Sequence, residues 1–268
     1  MTTGLHTRCC TAFGVPFQLT SSSNSILARM FECAPLGTQV CASSLDAAQQ
    51  FSLLVSPGAD YRLLIADEVV AEGAELQPVL DQLARDLMTH IANYAPDHVF
   101  MHAGVVGWQN SALVLPGTSF AGKTTLVAEL VRAGAIYYSD EYAVLDEHGC
   151  VHPYPRVLQM RNPGSPAQSA VPVEQLNGIA GTEPLRVSHV VFTEYSTSGV
   201  WQPEPISPGM AVLEMLRHTI SVQRTPARVM STLAKTMETA TATRSQRGEA
   251  KEAARALLTL ITTGRSFA

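Results

Sequence analysis

Two hydrophobic rhythms divide the chain. Over the first 95 or so residues, short runs precede one long helical stripe. "FSLLVS" (51–56) and "YRLLIADEVV" (61–70), the latter with Tyr61, Leu63 and Ile65 on one face, read as two strands separated by Pro57-Gly58. Leu76, Val79, Leu80, Leu83, Leu87 and Ile91 recur at three- and four-residue intervals, the apolar stripe of a helix. That helix should stop near Pro96, because the residue before a proline is driven out of the helical region. "SILARMFECAPLG" predicts a shorter helix ending before Pro35.

From "HVFMHAGVVG" onward the pattern changes. Nearly continuous apolar runs at 98–106, 111–115 and 187–193 predict strands buried on both faces. Helices are expected from Lys123 to Ala133, over 208–218, and over "EAKEAARALLTLI" near the end. Two stretches lack a core-forming rhythm. "RNPGSPAQSAVPVEQLNGIAGTEP" reads as an excursion or lid, and "METATATRSQRG" as a loose connection. The sum is an α/β protein, with a small N-terminal α/β region over 1–95 and a larger α/β domain over 96–268.

Composition narrows the function classes. Hydrophobic residues make up 46% and charged residues 15%, which suits a folded chain rather than a disordered one. The net charge is -5 and no Lys/Arg block stands out, so neither nucleic acid nor an anionic membrane surface is an expected partner. No apolar run approaches the roughly 18 residues of a membrane span. Cys9, Cys10, Cys33, Cys41 and Cys150 form no CxxC pair, and no secretory head precedes them. A reducing, cytoplasmic location is therefore expected.

The chemistry concentrates after the second strand of the larger region. Gly117-Thr118-Ser119-Phe120-Ala121-Gly122-Lys123-Thr124 satisfies the Walker A pattern, with "SALVLP" as the strand before it and "TTLVAELVRAG" as the helix after it. Gly117 and Gly122 permit the sharp loop path. The amides at the helix start, Thr125 included, can face phosphate oxygens. Lys123 can reach the outer phosphates, and the Thr124 hydroxyl can ligate Mg²⁺.

Two further features flank this loop. His102 ends an apolar strand before it, and Asp140-Glu141 follow "AIYY" after its helix. A strand returning from the loop helix would bring these acids to the same sheet edge as the phosphates. One carboxylate would then suit a base for an incoming hydroxyl and the other a metal partner; two solvated acids in a turn are the alternative. Arg156, after a rigid Pro-Tyr-Pro turn, can neutralise charge during transfer or serve as a surface ion-pair partner. Arg217, His218, Arg224 and Arg228 form a later basic cluster, able to hold the β-phosphate or an acidic acceptor, or to stand as ordinary solvated helix and loop charges.

The segment "MHAGVVGWQNSALVLPGTSFAGKTTLVAELVRAGAIYYSDEYAVLDEHGCVHPYPRVLQMR" resembles the catalytic domain of HPr kinase/phosphorylase, and still more the short HPr-kinase-related proteins. The resemblance implies a P-loop kinase domain of the HPr-kinase type, using ATP and Mg²⁺. It implies Asp140 as the acid/base residue nearest the acceptor hydroxyl, His102 contacting or tuning that site, and Glu141 assisting the metal or local organisation. The family usually carries two aspartates where this chain has Asp-Glu. Its glycine-rich signature after the core is replaced at 163–185 by a different Pro/Gly-rich stretch. The expected acceptor is therefore a hydroxyl-bearing peptide, protein or small molecule rather than HPr in particular. The alternative is a nucleotide-dependent binding or regulatory protein with little transfer chemistry. Related kinases are often assemblies, which leaves a homo-oligomer open.

Overall fold

The structure, a computed structural model, describes residues 4–41, 48–56, 58, 60–118, 122–161 and 168–263. The chain divides into two compact units, Met1–Asp97 and His98–Ala268.

The first unit is a six-stranded sheet with two helices. Its elements are β1 (His6–Ala12), β2 (Val15–Ser21), α1 (Asn24–Glu32), β3 (Gln39–Val40), β4 (Gln49–Val55), β5 (Tyr61–Ile65), β6 (Glu68–Gly73) and α2 (Leu76–Tyr94). The strand order is β3-β1-β2-β4-β5-β6, antiparallel except for the β2–β4 pair. Helix α2 buries Val79, Leu80, Leu83, Leu87 and Ile91, the stripe its spacing predicts, and Leu76 at its start is half-buried. The stretch "YRLLIADEVV" is not one strand. It is the β5–β6 hairpin, turning at Ala66 and Asp67, whose φ angles are 48° and 69°. That is the left-handed two-residue turn that suits strand twist, made here without the glycine that usually announces it. Pro57 lies outside the described residues.

The second unit contains β7 (His98–Trp108), β8 (Ser111–Pro116), α3 (Lys123–Arg132), β9 (Ile136–Ser139), β10 (Tyr142–Asp146), β11 (Cys150–His152), β12 (Leu158–Arg161), β13 (Gln168–Val171), β14 (Leu185–Tyr195), β15 (Glu204–Ile206), α4 (Pro208–Leu216), α5 (Pro226–Met237), β16 (Thr241–Arg247) and α6 (Ala250–Thr263). The large sheet runs β11-β10-β7-β8-β14-β16-β15, with β9 also on β7. Strand β11 pairs both β10 and the start of β14, so the curled sheet closes on itself there. Strands β8, β14 and β16 are mutually parallel. One apolar cluster joins the sheet to α4 and α5, and a second joins it to α3 and α6. The result is a mixed α/β unit in which β7 and β8 are buried on both faces as their unbroken apolar runs predict.

Two segments without an apolar rhythm are built in. "METATATRSQRG" contains β16, an inner strand between β14 and β15, and is not a loose connection. Its buried positions are Ala242, Ser245 and Arg247, small or polar, so the strand is held by ladders on both sides with little apolar signal. Within "RNPGSPAQSAVPVEQLNGIAGTEP", β13 pairs β12, and the turn Val173–Leu176 buries Val173 and Leu176 in the α3 cluster. Residues 162–167 lie outside the described residues. Helix α5, which begins with Pro226 at its first turn, is a further element that the sequence pattern left undrawn. No helix among the described residues is long and apolar enough to cross a membrane.

Candidate functional site

Strand β7 organises the site through two adjacent residues. The His102 carbonyl accepts a hydrogen bond from the Gly117 amide (3.2 Å), and the His102 amide donates to the His218 carbonyl (2.7 Å). The next residue, Ala103, donates its amide to the Glu141 carbonyl (3.1 Å). The start of the glycine loop, the acidic pair and the 218–220 segment thus meet at one step of one strand.

The loop emerges from β8 at Pro116 and enters α3 at Lys123. Gly117 and Thr118 are described; Ser119, Phe120 and Ala121 lie outside the described residues. Gly122 caps α3 in the left-handed region, at φ 76°, where a side chain is strained and glycine is not. The Lys123 ammonium donates to the carbonyls of Gly117 (2.9 Å) and Thr118 (2.7 Å). Burial lowers its pKa, while the carboxylates of Asp140 and Glu141 oppose that fall. Thr124 is half-buried and Thr125 exposed in the first turn of α3. Among the described residues no hydrogen bond engages the Thr124 hydroxyl. The helix is seated closely: a Cβ on Gly104 of β7 would lie 2.6 Å from a methyl of Val127.

The acids occupy the turn between β9 and β10. The buried hydroxyl of Ser139 accepts from the amides of Glu141 (3.1 Å) and Tyr142 (2.9 Å), which shapes the turn. Asp140 Oδ1 accepts from the Tyr137 hydroxyl (2.9 Å), which also reaches the Arg156 carbonyl (3.0 Å). Glu141 Oε2 is paired with Arg156 Nη1 at 2.6 Å. Burial pushes the Glu141 carboxyl above the usual range, against the pull of Arg156 and Lys123. His102 ring-packs on Tyr142 at 4.8 Å between centroids. Burial, then Lys123 and His218, hold its pKa below the ordinary value, and its Nδ1 is buried with no hydrogen-bond partner among the described residues. A cavity of about 470 Å³ opens beside the loop, with His102, Thr118, Arg217, His218, Thr219 and Ile220 around it.

The described residues predicted from sequence therefore converge: His102, Gly117, Thr118, Gly122, Lys123, Thr124, Thr125, Asp140, Glu141 and Arg156 belong to one edge of the sheet and its loops. Arg224 and Arg228 do not line the cavity; Arg217 and His218 do. One residue beneath the loop escaped the sequence reading. Arg247, only 3% exposed at the end of β16, donates to the Gly122 carbonyl (3.0 Å) and to that of Gly248 (3.2 Å), and lies over the Tyr195 ring. Its signal was faint: a period-two alternation of Ser245 and Arg247 within a polar run. Tyr137 was also missed, because a tyrosine three residues before an acid carries no motif.

No family model matches the chain, and no curated protein matches it. Among solved structures, an Hpr(Ser) kinase/phosphatase from Coxiella burnetii aligns over 62% of this chain and 95% of its own, with 11% identity and a TM-score of 0.33. The chain thus has a distant and partial likeness to an HPr-kinase enzyme, too slight to bear on its chemistry.

Proposed function

We propose that the chain is an ATP-dependent phosphotransferase that moves the γ-phosphoryl group to a hydroxyl of a peptide, protein or small molecule. The observation that carries this reading is the meeting at β7, where Gly117 bonds to His102 and Glu141 to Ala103. A phosphate-binding loop and a carboxylate pair held one residue apart give the donor and acceptor ends of a transfer site.

Lys123 and the amides opening α3 hold the donor phosphates. Asp140 is the general base. Its Oδ1 is held by Tyr137, which leaves the second oxygen for the substrate proton. The acceptor O–H bond breaks, its proton passes to Asp140, and the oxygen bonds to the γ-phosphorus. The bond from that phosphorus to the bridging oxygen breaks, and ADP leaves with the electron pair. Arg156 keeps Glu141 in place and adds positive charge near the transferring group.

Among the described residues no cluster of three His, Cys, Asp or Glu could hold a metal alone. That fits Mg²⁺ better than a resident protein-caged ion, because Mg²⁺ in such sites takes one or two protein oxygens plus phosphates and water. The Thr124 hydroxyl and the Glu141 carboxylate are the oxygens suited to it. When bound, the ion neutralises phosphate charge.

Mass spectrometry of candidate acceptors after incubation with ATP and Mg²⁺ tests the reading. A phosphorylated product is expected, reduced about 10²- to 10⁴-fold in Asp140→Asn with folding retained. ATP loss without phosphoproduct across a peptide and metabolite screen would overturn it.

A further inference from the structure

The cavity beside the loop has a wall that the transfer step leaves unused. At about 470 Å³ it has the size of a small-ligand site. The six described residues around it include no carboxylate. Arg217, just past the end of α4, donates its amide to the Glu214 carbonyl (3.1 Å), and its side chain makes no hydrogen bond or ion pair among the described residues. The carboxylate one turn earlier, Glu214, would be its ordinary helical partner, yet Glu214 is taken by Arg244 on β16 at 2.5 Å. The arginine is left with its charge on a cavity that also borders the phosphate loop.

The wall is fixed in place. The His218 carbonyl accepts from His102, the Ile220 amide donates to the Phe100 carbonyl (3.0 Å), and the Thr219 hydroxyl donates to the Met215 carbonyl (2.9 Å). Burial, with Lys123 nearby, keeps the imidazoles of His102 and His218 below their ordinary pKa. Near neutral pH each is an uncharged ring that can offer one N–H. A free guanidinium beside neutral N–H donors is an arrangement for an oxyanion.

In the transfer reading, Lys123 and the α3 amides serve the donor phosphates. The 218–220 segment lies on the flank of β7 opposite β10, as its bridge from Thr219 to Met101 requires. Strands flanking β7 are about 10 Å apart, the length of a small hydroxy compound or a few residues of peptide. We infer that this wall binds an oxyanion of the phosphoryl acceptor, a carboxylate or phosphate, with Arg217 as its charged contact and His218 as a second contact on the same wall. The inference rests on the transfer reading above and names its acceptor class: hydroxyl compounds carrying an anion at the far end from the reacting oxygen.

Calorimetric titration of inorganic phosphate into the full chain saturated with the β,γ-imido analogue of ATP and Mg²⁺ tests it. Phosphate should bind the loaded protein, and Arg217→Gln should weaken that binding about tenfold or more, the loss of a charge-assisted bond. The affinity for the analogue should stay within about threefold. Arg217→Lys should recover part of the loss, with circular dichroism checking that each variant is folded. A parallel titration with succinate separates a carboxylate reader from a phosphate reader. The inference is overturned if neither anion binds, if phosphate binds with ADP but is displaced by the analogue, or if Arg217→Gln weakens the analogue instead. In the last two cases Arg217 reads the donor. Failure of the protein to bind any nucleotide would sink the transfer reading and the acceptor assignment with it, while phosphate titration of the nucleotide-free wild type and Arg217→Gln would still report whether the wall binds an anion.

Discussion

Gly122 meets two demands at once. Its φ of 76° lies in the left-handed region, and a Cβ there would run into the Arg247 guanidinium. Gly122→Ala should therefore strain the start of α3 by about 1–3 kcal/mol. A matching fall in nucleotide affinity, of tenfold or more, is expected by calorimetry; unchanged affinity would show that the loop does not need this conformation. At this scale the sequence was readable wherever partners are close along the chain. The Walker spacing packs its chemistry into eight consecutive positions, and Asp140-Glu141 sit just past the next strand. Arg247 reaches Gly122 across 125 residues, and no local pattern records such a pairing. Arg156 was legible as a cation but not as the partner of Glu141.

Among the elements, β16 tests how far polar residues can hold an inner strand. Arg247 places its guanidinium against two carbonyls and the Tyr195 ring while only 3% exposed. Arg247→Met keeps the volume of the stem and removes the donors. It should lower unfolding free energy by about 1 kcal/mol, the cost of leaving two half-buried carbonyls without their donor. Urea unfolding should show a lower midpoint at unchanged slope, and a midpoint equal to wild type would mean the arginine is dispensable to the fold. Strands β7 and β8 were visible because two-sided burial demands unbroken apolar runs. The β5–β6 hairpin and β16 were not, since one turns without glycine and the other buries Ala242, Ser245 and Arg247 where a strand usually buries valine or isoleucine. The proline-rich excursion was legible as irregular backbone, whereas the anchoring of Val173 and Leu176 depends on a cluster formed only in three dimensions.

For the molecule as a whole, acid should act first through imidazoles. Burial depresses His102, His189 and His218 below the ordinary histidine value of 6.5. A base with a depressed folded pKa binds fewer protons in the native state than in the unfolded one. Its stabilisation is thus complete above about 6.5 and is lost as pH falls toward the folded value. Glu141 runs the other way: its raised pKa favours the native state below the ordinary 4.5 and that advantage fades as pH climbs. With three groups against one, melting temperature should decline on acidification from about pH 7.5 to 5.5. Scanning calorimetry in matched ionic strength measures this, and a flat profile would contradict the depressed pKa of these half-buried rings. The α/β class was legible from the change of rhythm near residue 96, because periodicity reports burial. Sheet order was not, since closure through β11 is set by pairings between distant strands.

One residue, finally, acts as a ruler. The glycine loop and the 218–220 segment are tied to the carbonyl and the amide of the same residue, His102. The distance between those two atoms is set by bond lengths, bond angles and the extended ψ of a strand residue, not by side-chain packing. Substitutions elsewhere can loosen a core or tilt a helix without changing it. A chain could thus drift widely in sequence while both structures stay tied to that one residue.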